Sequence, residues 1–266
     1  MMDRRAFFST LGGAAAVEAM SSEARADALE HYMVQQLDQA APTAPSTDAP
    51  LPGATARRGV GSLFVAGRGP DGPRALTKLD PMPPRPTLLD FFKLRFAPAN
   101  HVLQSATRAL KTGMSEETVL ACLLHDVVLN MVKPDHGWWG AQLVEPYVSE
   151  KVSWGIRYHQ ALRFFPDPSV GYEYPEQYNR IFGRDYVPDP YIQQAYTFAK
   201  SHKWYMEARL ITVNDLYAFD PNARVSIEPF IDIVGRQFRQ PTEGLGYDGS
   251  PVAHMWRTIA RPDMPL

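Results

Sequence analysis

Apolar residues recur at helical spacing through most of the chain after residue 86. Two successive apolar faces are formed by Leu88, Leu89, Phe91, Phe92 and Leu94, and by Val102, Leu103, Ala106 and Leu110. Ser115 and Ser149 are typical N-cap residues, each followed by acidic residues and an apolar run. Further helices are predicted at about 189–200, 203–219, 226–238 and 252–259. Because alternating strand patterns are scarce, the predicted fold class is all-α.

The first 26 residues have the pattern of an export signal. Arg4 and Arg5 precede a weakly apolar stretch at 11–17, and Ala24-Arg25-Ala26 is a small-x-small cleavage pattern. Twin arginines before a weak apolar segment are typical of twin-arginine export, which predicts the export machinery as a partner and a periplasmic or secreted location. An N-terminal amphipathic helix is the alternative.

The remaining chain divides by composition. Residues 27–86 are predicted to be a short helix at 27–39 followed by a Pro/Gly-rich arm, which packs across the fold or mediates a homodimer. Residues 87–266 are predicted to form a helical bundle with C-terminal helices. No apolar run reaches the roughly 18 residues of a membrane span.

Charge and cysteine content exclude several function classes. The 27 Lys and Arg against 29 Asp and Glu give a net charge of -2, which offers no general attraction to nucleic acid. The single cysteine, Cys122, excludes an intramolecular disulfide and a cysteine-based zinc site.

Histidines are concentrated in one part of the chain. Four of the seven, His101, His125, His136 and His159, fall between residues 101 and 159. His125-Asp126 closes an apolar helix, where an ionised aspartate is costly unless it is paired or bound to a metal. Imidazole and carboxylate ligands suit iron, manganese, zinc or nickel. The spacing predicts a two-metal centre in which Asp126 bridges the ions, with a carboxylate from a later helix completing the first site.

This pattern resembles the HD-domain metalloproteins, whose ligands are His, His-Asp, His, His and Asp. The segment from His101 to Asp126 resembles the opening of that domain, and Gly140-Ala141 after His136 is similar as well. Within the superfamily the chain looks most like the mixed-valent diiron oxygenases, represented by the organophosphonate-cleaving HD oxygenase and inositol oxygenase. Asn214-Asp215-Leu216-Tyr217 is similar to the segment that carries the last ligand there, so the resemblance implies Asp215 as the sixth ligand.

The resemblance implies an HD-domain bundle with two metal ions, expected to be iron, and O₂ as co-substrate. HD phosphohydrolases often carry a substrate-facing base shortly after His-Asp, whereas His125-Asp126 is followed by Val127-Val128-Leu129. We therefore expect an oxygenase acting on a small hydroxylated or anionic organic substrate. A metal-dependent phosphohydrolase and a non-catalytic exported metal-binding protein remain alternatives.

Two residues near the predicted ligands are candidates for substrate binding. Arg163 lies one helical turn beyond His159, and His159-Gln-Ala-Leu-Arg163 resembles the His-x-x-x-Lys/Arg segment of the phosphonate enzyme. Trp139 follows His136 closely and is a candidate pocket wall, although packing in the core is the alternative for both tryptophans there. No catalytic residue is assigned beyond the metal centre.

Overall fold

A computed structural model describes residues 22–40, 80–95, 99–129, 132, 135–241, 250–252 and 255. Within these ranges the chain forms ten α-helices and no strand, which confirms the all-α prediction. The helices are α1 (Ser22–Ala40), α2 (Leu88–Leu94), α3 (Ala99–Lys111), α4 (Glu116–Leu124), α5 (His136–Val144), α6 (Glu150–Leu162), α7 (Glu176–Phe182), α8 (Pro190–Ser201), α9 (Tyr205–Leu216) and α10 (Ile231–Gln237). Three 3₁₀ turns lie at Glu145–Tyr147, Pro168–Val170 and Glu228–Phe230.

Side-chain caps set the starts of three helices that carry or support the site. Thr87 and Asp90 exchange hydrogen bonds in a capping box at α2. The hydroxyls of Ser115 and Ser149 accept the third amide of α4 and of α6, as the sequence predicts. These caps satisfy amides that have no partner within the helix.

Three hydrophobic clusters hold the described helices together, and two of them concern the site. The larger one is built mainly by α2, α3, α4, α6 and α10. The second joins α1 to the chain around α7, where Leu29 packs with Phe164, Tyr172 and Tyr178. Helices of both clusters contribute polar side chains to one buried site.

Several sequence predictions lie outside the described residues. These are the first 21 residues of the export signal, residues 41–79 of the arm, and most of the helix at 252–259. The predicted short helix at 27–39 is longer, since α1 begins at Ser22, and the predicted cleavage point after Ala26 therefore lies inside it. None of the described helices combines the length and apolarity needed to cross a membrane.

Candidate metal centre

The six ligands proposed from the sequence come together in the interior. His101 lies in the first turn of α3, His125 and Asp126 follow α4, His136 opens α5, His159 lies near the end of α6, and Asp215 lies near the end of α9. All six residues are at most 1% exposed. Their ligand atoms form overlapping triads in which all atoms lie within 4.8 Å of one another.

Asp126 occupies the middle of this cluster. Its Oδ2 lies 3.6 Å from Nε2 of His101, and its Oδ1 lies 3.2 Å from Nε2 of His136. His125 Nε2 is 3.4 Å from the same Oδ1. The two oxygens of one carboxylate thus face histidines on both sides, an arrangement suited to bridging two cations. We call the two groups of residues around Asp126 the His101 side (His101, His125 and Asp215) and the His136 side (His136 and His159).

Asp215 completes the His101 side. Its Oδ1 lies 2.9 Å from Nε2 of His101 and 3.6 Å from Nε2 of His125. Asp220, the next aspartate along the chain, is exposed and accepts the amide of Asn222 in a turn. The resemblance therefore pointed to the aspartate that reaches the cluster.

Backbone carbonyls orient three of the four imidazoles. Nδ1 of His101 lies 3.1 Å from the oxygen of Ala218, and Nδ1 of His125 lies 2.9 Å from that of Cys122. Nδ1 of His159 lies 2.5 Å from the oxygen of Ile156. Because a carbonyl only accepts, each Nδ1 carries a proton, and in the neutral ring Nε2 presents a lone pair to the cluster.

The unsatisfied atoms of the cluster fit a metal. All four Nε2 atoms, both oxygens of Asp126 and Oδ1 of Asp215 are buried without a hydrogen-bond partner. Buried polar atoms in proteins are almost always satisfied, so such a group indicates a missing ligand. Four imidazoles and two carboxylates are a donor set for iron, manganese or zinc.

The charges of the cluster are strongly interdependent. Burial alone would lower the pKa of His125, but the carboxylates of Asp126 and Asp215 outweigh it and raise that pKa to about 9. Burial would raise the pKa of Asp126, yet His125 and His136 hold it below its ordinary value. Burial, together with His125 and His136, lowers the pKa of His159 to about 3. His159 is therefore neutral at pH 7 and ready to bind a cation.

The sequence analysis missed two further carboxylates, both on α1. Asp27 and Glu30 are buried, and each has an oxygen close to His136. Asp27 is fully satisfied because it accepts the amide of Asp135, the side-chain amide of Gln160 and the guanidinium of Arg163. Oε1 of Glu30 has no hydrogen-bond partner, and Glu30 also forms a triad with His101 and Asp215. Glu30 is therefore the α1 carboxylate that faces the metal ligands.

Arg163, proposed from the sequence to hold a substrate, is 1% exposed and paired within the protein. Its guanidinium donates to Oε2 of Glu30 over 2.5 Å and to Oδ1 of Asp27. Burial and the nearby Asp215 raise the pKa of Glu30 well above its ordinary value, although Arg163 opposes that shift. The cation is thus beside the cluster, with α1 supplying its counter-ions.

Trp139, the other candidate for substrate binding, is 49% exposed and lies on a surface cleft of about 400 Å³. Trp138 packs edge-on against it with ring centroids 4.7 Å apart. Asp135, Arg157 and Gln160 also line the cleft. Gln160 hydrogen bonds to His136, so one residue that lines the cleft also contacts a predicted metal ligand.

The turn before α5 has an unusual backbone. Among the described residues with a side chain, only Asp135 has a positive φ, 58°. This left-handed residue precedes His136, and its amide donates to Oδ2 of Asp27 over 3.1 Å. The turn thus ties the start of α5 to α1.

No protein-family model and no curated protein matches the chain.

Proposed function

We propose that the protein is an HD-type dinuclear metalloenzyme, and specifically an iron-dependent oxygenase that oxidises a small hydroxylated or anionic organic substrate with O₂. The observation that carries the proposal is the position of Asp126, whose two oxygens face histidines on opposite sides. When bound, a pair of iron ions at such a centre supplies O₂ activation and hydrogen abstraction from carbon.

The chain would hold one ion on each side of Asp126. His101, His125 and Asp215 would bind the first, and His136 and His159 the second. The carbonyls behind His101, His125 and His159 keep those rings oriented without a change of tautomer. Burial of the ligands excludes bulk water from the centre.

We assign the residues next to the ligands to substrate handling. Glu30 has an unpartnered oxygen and a raised pKa, which suits a base that takes the proton of a substrate hydroxyl. Arg163 would hold an anionic group of the substrate. That group would compete with Asp27 and Glu30 for the guanidinium. Trp139 would wall the approach to the centre.

The charge balance favours an oxygenase over a phosphohydrolase. Phosphoryl transfer needs cationic partners for the phosphate oxygens. Val127, Val128 and Leu129, which stand where many HD enzymes have a basic residue, are buried.

The proposal is tested by metal analysis and low-temperature EPR of anaerobically purified, partly oxidised protein. Two irons per chain with a coupled mixed-valent signal, absent from Asp126→Ala, are the expected result. Two EPR-silent zinc ions with phosphoesterase turnover would overturn the oxygenase in favour of the hydrolase. Tight metal binding with neither O₂ uptake nor phosphoesterase turnover would favour a non-catalytic metal-binding protein.

Export through the twin-arginine route is a separate proposal, supported by the sequence of residues 1–26. Fusion of this segment to a reporter that is active only after export tests it. Replacing Arg4 and Arg5 with lysine should abolish export. Export that persists in this variant would contradict the twin-arginine route.

A further inference from the structure

The fourth histidine of the centre is held differently from the other three. Nδ1 of His136 does not face a carbonyl oxygen but lies 2.8 Å from the side-chain amide nitrogen of Gln160. Gln160 is 4% exposed, so solvent does not replace this contact. The polarity of the hydrogen bond at His136 therefore depends on which way the Gln160 amide points.

Two neighbours fix the orientation of that amide. Oε1 of Gln160 accepts the backbone amide of Gly137 over 2.5 Å, and Nε2 donates to Oδ1 of Asp27 over 2.7 Å. Turning the amide over would bring two donors together at Gly137 and two acceptors together at Asp27. The second hydrogen of Nε2 consequently points at Nδ1 of His136, which must accept it.

A neutral imidazole that accepts at Nδ1 carries its proton on Nε2. Nε2 of His136 lies inside the cluster, 3.2 Å from Oδ1 of Asp126. The proton thus occupies the position from which a metal ion would be bound. In His101, His125 and His159 that position holds a lone pair.

We infer that Gln160 is a positioning residue that holds His136 in the tautomer opposed to metal binding, so that the ion on the His136 side binds second and more weakly. An ion reaches Nε2 only after its proton has left and the amide of Gln160 has released Nδ1. The order of affinities rests on the proposed two-ion centre, whereas the tautomer of His136 does not.

The tautomer is measured directly by long-range ¹H–¹⁵N correlation on metal-free protein with ¹⁵N-labelled histidine. A pH of about 10 keeps His125 neutral, because its pKa is about 9. The expected spectrum shows the proton on Nε2 in His136 and on Nδ1 in His101, His125 and His159. Gln160→Met removes the donor that faces Nδ1, so the fraction of His136 that carries its proton on Nδ1 should rise. A proton on Nδ1 of His136 in the unmodified protein would overturn the inference.

Metal titration tests the consequence for affinity. Zn²⁺ titrated against a chelator should bind to the unmodified protein in two steps that differ at least tenfold in affinity. Gln160→Met should tighten the weaker step by about tenfold and so narrow the gap between the two affinities, a change of the size expected when an outer partner of a ligand is altered. An unchanged gap would overturn the role of Gln160.

Gln104→Met is the matched control. Gln104 is also buried and exchanges hydrogen bonds with the backbone of Asp220, but it has no contact with His136. Its replacement should leave the ratio of the two affinities unchanged. One equivalent of Zn²⁺ in both the unmodified protein and Gln160→Met would overturn the affinity order together with the two-ion centre, whereas the NMR spectrum decides the tautomer independently.

Discussion

Arg163 and Glu30 form a buried ion pair in which Nη1 of the guanidinium lies 2.5 Å from Oε2 of the carboxylate. The same guanidinium pairs with Asp27, so one cation on α6 is held between two carboxylates of α1. Because a buried charge without a partner is costly, this triad fixes α1 against the metal centre.

Replacing Arg163 with methionine is expected to destabilise the protein by about 3–5 kcal/mol, since two buried carboxylates lose their cation. Urea unfolding of the metal-loaded protein measures the loss. The variant Arg163→Met with Asp27→Asn and Glu30→Gln removes all three charges and should regain most of the stability. Equal losses in both variants would show that packing, not charge, accounts for the effect.

Glu30 is expected to act in turnover rather than in folding alone. Glu30→Gln keeps the size of the side chain and a hydrogen-bond acceptor for Arg163, but the amide is not a base. We expect it to lower O₂ uptake with a screened substrate by about 100-fold or more while metal content stays unchanged. Asp27→Asn, whose parent carboxylate is fully satisfied, is the comparison and should retain more activity. Equal activity losses in the two variants would contradict the assignment.

Asp215 is expected to be required for the ion on the His101 side. Asp215→Asn replaces a charged ligand with a neutral amide and should lower the affinity for that ion by more than about tenfold. Asp220→Asn is the control, because Asp220 is exposed and points into a turn. Metal content after gel filtration distinguishes the two variants. Full metal content in Asp215→Asn would remove Asp215 from the ligand set.

The ligands were predictable because each carries a local signal. His125-Asp126 ends an apolar run, and the remaining histidines and Asp215 stand in segments with a recognisable pattern. The capping serines at 115 and 149 likewise act through residues next to them in sequence. Short-range physics therefore accounts for most helices, whereas the set of six predicted ligands, Asp215 above all, was implied by the family resemblance.

The contribution of α1 was not predictable in the same way. Asp27 and Glu30 are separated by 133 or more residues from the Arg163 and Gln160 side chains that they meet. The i and i+3 spacing on one helix face was the only local signal. Asp27 also follows directly on the predicted signal cleavage point, which made this segment look like a boundary rather than part of a site.

Helix α5 was missed for a different reason. It begins after a left-handed Asp135 and contains two glycines and two tryptophans, a composition without a clear polar and apolar face. Its position follows from close packing against α6. Gly137 permits this approach, because a Cβ there would lie 2.8 Å from Oε1 of Gln160 and 2.8 Å from the carbonyl oxygen of Ile156.

Gly137→Ala is therefore expected to cost about 1–3 kcal/mol, the usual penalty for overpacking, and to disturb the Gln160 contact with His136. Gly140→Ala on the same helix is the matched control. Its Cβ would meet neighbours at 3.4 Å or more, so the better helix propensity of alanine should leave stability equal or slightly higher. Urea unfolding measures both variants, and equal effects would contradict the close-approach argument.

The metal-free protein is expected to lose stability between about pH 6.5 and pH 9. The carboxylates of Asp126 and Asp215 raise the pKa of His125 to about 9 against the effect of burial, so the folded state holds its proton more tightly than the unfolded state. This contribution is complete below the unfolded pKa of about 6.5 and disappears as the pH rises through 9. The loss should not exceed about 4 kcal/mol, from about 1.4 kcal/mol per pKa unit.

Metal binding should remove this dependence, because an ion at Nε2 takes the place of the His125 proton. Urea unfolding at several pH values, with and without Zn²⁺, measures the difference, and the affinity for Zn²⁺ should rise over the same pH range. Burial raises the pKa of Glu30, and Asp27 and Asp126 raise that of His136 against the effect of burial, so both residues add to the loss of stability on raising the pH. Glu30→Gln removes the share of Glu30. If metal-free Glu30→Gln is equally stable at pH 6.5 and pH 9, His125 does not hold a proton between the two aspartates.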